Sequence, residues 1–276
     1  MEVLVVGNTA YVDDDFCAKA FPGDHVQVVA ADDARRDESS PHASWKELLQ
    51  HLDQAYEFDR VVYLSNYLTP HNDTVGDIEL LRSVFRACMG RRVQLLYVAG
   101  PAAAEGAVDA TGRTGKGIIA RAANDLCRYY AAREGVQAKI LRAPFLYTAS
   151  AALEDPFLVP LFDACSTGSV ALQGAQDAAF PLLCAEELAV LVRRVFDSWD
   201  ANFETLDVAD SFNHTVGDVG EALKTLFPGL AVAYGESAGY ALPADETVRV
   251  RYGWFQRYDL LRALSAMQAR GNAGRS

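Results

Sequence analysis

The stretch Val3-Leu4-Val5-Val6-Gly7-Asn8-Thr9-Ala10-Tyr11-Val12-Asp13 decides the fold. Four apolar residues, three of them β-branched, run to a glycine, and three acids, Asp13, Asp14 and Asp15, then open an amphipathic stretch. An unbroken apolar run of this length reads as a strand covered on both faces, the kind that parallel sheets contain. The pattern recurs through the first half of the chain. It predicts strands at Val3–Val6, Val26–Ala30, Val61–Leu64, Val93–Val98 and Ala138–Leu141. Between them it predicts helices at Asp15–Ala20, Trp45–Ala55, Asp77–Met89 and Ile118–Glu134. In Asp77–Met89 the residues Ile78, Leu81, Val84, Phe85 and Cys88 return at the helical period. Strand-helix alternation of this kind builds an α/β protein, a doubly wound parallel sheet with right-handed crossovers.

Past Pro144 the alternation weakens. Helical patterns cover Phe157–Cys165, Ala185–Trp199, Val216–Phe227 and Tyr258–Ala269, with short strands near Ser169–Leu172 and Glu204–Val208. The expected organisation is a Rossmann-like, nucleotide-binding-type domain over 1–150 and a smaller α+β lobe over 151–269, interleaved with it. A tail follows over 270–276. The lobe is expected beside the carboxyl ends of the strands, where doubly wound sheets form their cleft.

The 276 residues carry 25 Lys and Arg against 37 Asp and Glu, a formal charge of −12. Charge-driven binding to nucleic acid needs a basic face that releases counterions, so no nucleic-acid partner is expected. The same sign disfavours an anionic membrane surface. Cys17, Cys88, Cys127, Cys165 and Cys184 are odd in number, widely spaced and free of any C-x-x-C pair. They read as buried free thiols in a reducing compartment, with no zinc site. No basic leader and no long apolar run is visible, so a cytoplasmic location is expected.

Several segments, taken in order, resemble the extended short-chain dehydrogenase/reductases, the NAD-dependent sugar epimerases and dehydratases. The opening strand and turn resemble the family's G-x-x-G-x-x-G element, and Val61-Val-Tyr-Leu-Ser-Asn66 its fourth strand. Asp73-Thr-Val-Gly-Asp-Ile-Glu-Leu-Leu81 is similar to its N-x-x-G-T-x-x-L-L helix start, and Leu95-Leu-Tyr-Val-Ala-Gly100 to its fifth strand. Ile140-Leu-Arg-Ala-Pro-Phe-Leu-Tyr147 resembles the L-R-x-x-x-x-Y segment that enters the substrate lobe, and Tyr252-Gly-Trp254 the closing element. The resemblance spans almost the whole chain. It implies a dinucleotide on the first turn and a homodimer formed through the helices at Asp77–Met89 and Ile118–Glu134.

Departures from the family pattern fall on the working residues. Of the three turn glycines only Gly7 remains, with Ala10 and Asp13 in the other two places. Those glycines let a backbone approach a pyrophosphate. Asp13, Asp14 and Asp15 suit an unliganded helix terminus, which acids stabilise by about 0.3–1 kcal/mol each, and would repel a diphosphate. Hence no cofactor is expected, and NAD(P) is disfavoured. Gly7, Thr9, Ala10 and Asp32, the acid after the second strand, are the vestiges of a dinucleotide site.

The family's redox step uses a Tyr-x-x-x-Lys pair on one helical face. Asp15, His42, Gly112, Gly135 and Gly220 stand four residues before Lys19, Lys46, Lys116, Lys139 and Lys224, so the pair is absent from the entire chain. The corresponding helix places Lys116 or Gly117 at the Tyr position and Ala120 or Arg121 at the Lys position. Ala99-Gly100-Pro101 replaces the hydroxyl residues of the strand end. Gly112-Arg-Thr-Gly-Lys-Gly117 departs from a Walker A loop at Ala110 and Gly117. Its Arg113, with Arg121, is a candidate grip for an anionic ligand, and Ser65, Asn66 and Tyr67 are candidates for the cleft wall. Lys116 and His71 are the candidate catalytic groups, although a lone His beside Pro70 and Asn72 is more often a surface or capping residue. Of Tyr129 and Tyr130, one is expected to pack and the other to lie near the surface.

The expected function is that of a family-like protein without the standard redox residues. It would bind a small ligand, or catalyse a cofactor-independent reaction, in the cleft between the lobes. One alternative is an active NAD(P)-dependent epimerase, dehydratase or reductase with other catalytic groups. Another is a non-catalytic partner or regulatory subunit steered by its acidic surface.

Overall fold

The computed structural model describes residues 1–8, 10–30, 58–65, 76–101, 115–148, 158–236, 246–261 and 264. The chain runs β1 (Glu2–Gly7), α1 (Asp14–Ala20), β2 (His25–Ala30), β3 (Arg60–Leu64), α2 (Gly76–Cys88), β4 (Gln94–Ala99), α3 (Gly115–Glu134) and β5 (Gln137–Arg142). It continues through β6 (Phe145–Tyr147), α4 (Leu158–Ser166), β7 (Ser169–Leu172), β8 (Leu182–Cys184), α5 (Ala185–Asp197), β9 (Phe203–Asp207), α6 (Val216–Leu226), β10 (Ala231–Tyr234) and α7 (Thr247–Tyr252). Six strands pair in the order β2-β1-β3-β4-β5-β9, every pair parallel. This is the doubly wound α/β sheet that the sequence predicts. The helix expected at Trp45–Ala55 lies outside the described residues.

Alternating side chains of the central strands feed two cores. Val3, Val5, Val62, Leu64, Leu96, Val98 and Leu141 pack under α1 and α5. Leu4, Val6, Val61, Tyr63, Leu95, Tyr97 and Ile140 pack under α2 and α3. Cover on both faces is why these strands have no polar side in the sequence. Tyr130 is 7% exposed and stacks on Phe85 with ring centroids 4.8 Å apart, whereas Tyr129 is 53% exposed. One tyrosine packs and the other lies outside, as the helical spacing predicts.

β9 comes from beyond residue 150 and forms one edge of the main sheet. The remaining short strands make two parallel pairs, β6 with β8 and β7 with β10. Phe145, Tyr147, Leu158, Leu182, Leu223, Leu260 and Leu264 form their core. α6 is held at its start by a capping box, in which Thr215 accepts from the Asp218 N–H and Asp218 from the Thr215 N–H. All five cysteines are free; Cys17 is half-buried and the other four are buried. Among the described residues, no helix is long and apolar enough to cross a membrane.

A fully buried lysine fastens α7 and β9 to the sheet. Lys139 Nζ lies 3.0 Å from Glu204 Oε2 and donates to Asp200 Oδ1 and the Tyr252 hydroxyl oxygen, each at 3.2 Å. Its ammonium stands 5.1 Å from the centre of the Trp199 ring, and Arg251 completes the network by pairing with Asp200 and Glu204. Burial pulls the Lys139 pKa down, but the bonds to Glu204, Tyr252 and Asp200 outweigh it and hold the group above the ordinary lysine value.

Candidate functional site

From β1 the chain passes outward to β2, and from β3 it proceeds the other way to β4 and β5. The direction therefore reverses between β1 and β3, which leaves a crevice at their carboxyl ends. Gly7 and Leu64 face each other there in register. Gly7 has φ +108°, and a Cβ on it would stand 2.1 Å from the Leu64 carbonyl oxygen. That oxygen accepts from the Asn8 N–H at 2.8 Å. Neither the torsion nor the space admits another residue.

Asn8, only 5% exposed, accepts from the Ala10 N–H at 3.3 Å through Oδ1. Its Nδ2 is buried without a hydrogen-bond partner among the described residues. A buried donor left unpaired costs about 1–3 kcal/mol, which makes this amide a candidate donor at the crevice. The sequence reading passed over Asn8, because nothing local distinguishes it from any turn asparagine.

The acids after the turn are engaged locally. Asp13 caps α1, its Oδ1 accepting from the Phe16 N–H at 2.8 Å. Asp15 pairs with Lys19 one turn along, and Asp14 and Asp15 lie at the exposed surface.

Ser65 follows β3 at the crevice but is fully buried, and its N–H donates to the Val98 carbonyl at 2.9 Å. Gly100 and Pro101 are buried at the end of β4. Arg142 and Asp207 close the far side with a two-point ion pair, 2.6 Å from Nε and 2.5 Å from Nη2, across the ends of β5 and β9. Arg121 is exposed on α3, and Lys116 lies in that helix's first turn, three residues earlier than the spacing predicts a start. Of the other candidates, Thr9, Asp32, Asn66, Tyr67, His71 and Arg113 lie outside the described residues. Gly7, Ala10 and Ser65 are thus the sequence candidates that the structure describes at these strand ends, and Asn8 joins them.

No protein-family model and no curated protein matches the sequence. Solved structures do match the fold. UDP-glucuronic acid 4-epimerase from Bacillus cereus, in complex with UDP-glucuronic acid and NAD, superposes with a TM-score of 0.74 over 99% of both chains at 13% identity. MoeE5 in complex with UDP-glucuronic acid and NAD gives 0.73 over 99% of this chain and 100% of that one, at 15% identity. ADP-L-glycero-D-manno-heptose-6-epimerase from Helicobacter pylori gives 0.69 over 98% and 96%, at 12% identity. This chain has the extended short-chain dehydrogenase/reductase fold.

The comparison corrects one expectation drawn from the sequence. No cofactor was expected, on the strength of Asp13, Asp14 and Asp15, yet short-chain dehydrogenase/reductase-fold proteins matching over nearly their full length hold NAD. The physical reason lies in α1: Asp13 is spent on its own helix cap and Asp15 on Lys19. Three carboxylates adjacent in sequence are therefore not three free charges aimed at the crevice.

Proposed function

We propose that this chain is a dinucleotide-binding protein of the extended short-chain dehydrogenase/reductase fold whose cleft takes a small molecule without tyrosine-lysine redox chemistry. The residues at the strand ends fit a dinucleotide. Gly7 leaves the backbone bare where a Cβ would collide with the Leu64 carbonyl, and Asn8 holds a buried amide with no acceptor among the described residues. A nicotinamide cofactor held there would supply hydride chemistry. Gly7 and Asn8 bind and orient; Arg142 and Asp207 hold the ends of β5 and β9 together across the cleft.

What the chain lacks is a proton carrier of the family's kind. The observation that carries the proposal is the pairing of a retained glycine crevice with the absence of tyrosine four residues before any of the five lysines. Without that pair the family's own carrier of the hydroxyl proton is missing. Lys116 and Arg121 on α3, with Arg113 before it, are then proposed to position an anionic ligand rather than to activate a tyrosine.

Calorimetric titration with NAD⁺, NADH, NADP⁺ and NADPH tests the first half of the proposal, and turnover of UDP-glucose and UDP-glucuronic acid followed by NMR tests the second. The expected result is saturable binding of at least one dinucleotide, lost in Gly7→Val, and no epimerised or oxidised sugar. Absence of binding at millimolar dinucleotide overturns the cofactor reading. Turnover by the unaltered chain overturns the non-redox one.

A further inference from the structure

A second cavity of about 370 Å³ opens on the other side of α1 and α5, bordered by residues 253–258. None of its lining belongs to β1, β3 or β4 or to the turns at their carboxyl ends. Its size lies in the range of small-molecule sites, about 300–1,000 Å³. What it binds follows from which of its polar atoms are already committed.

Both carboxylates in the wall are turned inward. Glu187 Oε1 accepts from the Arg257 N–H at 2.6 Å and its Oε2 from the Tyr258 N–H at 3.2 Å. Glu186 Oε1 accepts from the Thr148 hydroxyl at 3.1 Å and its Oε2 from the Cys184 thiol at 2.6 Å. Each of the four carboxylate oxygens therefore has an internal donor.

Of the three cations in the wall, Lys19 pairs with Asp15, whereas Arg194 and Arg257 are not matched in that way. Arg194 spends only Nη1, on the carbonyls of Tyr252 and Gly253 at 2.8 and 2.5 Å. Its Nε and Nη2 have no protein partner among the described residues. The Arg257 guanidinium lies 5.1 Å from the centre of the Phe255 ring and attracts the Glu187 carboxylate from beyond ion-pairing distance, with no ion pair among those residues. Phe255 is 50% exposed and Tyr258 45%, so two partly exposed aromatic side chains line the cavity beside the Arg194 and Arg257 guanidinium groups.

We infer that this cavity is a second ligand site, separate from the strand-end crevice, and that it takes a planar aromatic anion. The ring would stack on Phe255 or Tyr258, and the carboxylate or phosphate would accept from Arg257 and Arg194. A cationic ligand is disfavoured because every carboxylate oxygen is already turned to an internal donor while the guanidinium donors are not. A neutral aromatic leaves the guanidinium donors unanswered.

The test uses 1-naphthoate, which is not a fragment of any dinucleotide, titrated into the full chain by calorimetry with 1-naphthamide as the neutral control. Arg257→Ala is the primary variant, since its side chain makes a ring contact and a Coulombic attraction to Glu187 but no hydrogen bond among the described residues, whereas Arg194→Ala removes bonds to two carbonyls and can unfold the segment. Expected are saturable binding of naphthoate to one site, affinity at least about tenfold lower in Arg257→Ala or for the naphthamide, and weakening by salt. Saturating NADH should not displace it, which separates this site from the proposed cofactor crevice. No saturable binding at about 10 mM naphthoate, unchanged affinity in Arg257→Ala, or displacement by NADH each overturns the proposal.

Discussion

Gly7 and Leu64 are register partners so close that a methyl group on the first would stand 2.1 Å from the carbonyl oxygen of the second. The same oxygen takes the Asn8 N–H, so one carbonyl fixes both the end of β1 and the start of the turn.

Gly7→Val is accordingly expected to cost stability twice, through the φ of +108° and through the collision. Strain of this kind costs about 1–3 kcal/mol, and forced overpacking a similar amount. Urea denaturation measures the sum. A variant within about 0.5 kcal/mol of the parent would show that the turn rearranges freely.

Asp13 is a cap first and a charge second. Asp13→Ala should destabilise by about 0.5–2 kcal/mol, and Asp13→Asn, which keeps the accepting oxygen, by much less. Thermal melts of the two variants separate the roles, because equal losses would mean that the charge and not the bond to Phe16 matters.

Lys139 sets an alkaline limit on stability. Its folded-state pKa is raised, so its contribution is complete below the unfolded-state value of about 10.4 and is lost as pH rises through the higher folded value. Lys139→Met is expected to lose about 3 kcal/mol at neutral pH, the low end for a broken buried pair because Arg251 still faces Asp200 and Glu204. Urea midpoints across the alkaline range should fall for the parent and stay flatter for the variant.

The cysteines should divide by burial. Burial pushes the Cys88 thiol up to about 12 and raises Cys127 and Cys184 strongly. Native-state titration with a chromogenic disulfide should find Cys17 alone reacting readily, and all five thiols only after unfolding. Fast labelling of Cys184 would show that the bond it donates to Glu186 opens easily.

The three-residue strands β6 and β8 were not legible in the sequence, and neither was β10, which is four residues long. Each is too short to carry a period of its own and exists by pairing with a segment far along the chain. The two guanidinium groups of the second cavity come from α5 and from beyond α7, about sixty residues apart, and only packing brings them together. Asp13 shows the opposite case, since a cap is a contact between residues three apart and can be read locally.

The sequence by itself determined the order and character of the elements, because local periodicity and turn chemistry act within a few residues. It also determined the missing tyrosine-lysine pair, since a spacing of four can be checked anywhere in a chain. Tertiary structure alone decided where charge is spent. Asp13 caps α1 and Asp15 pairs with Lys19, the oxygens of Glu186 and Glu187 accept from internal donors, and the Arg257 guanidinium makes no ion pair among the described residues. The availability of a charged group depends on its partners in space, and composition does not record those partners.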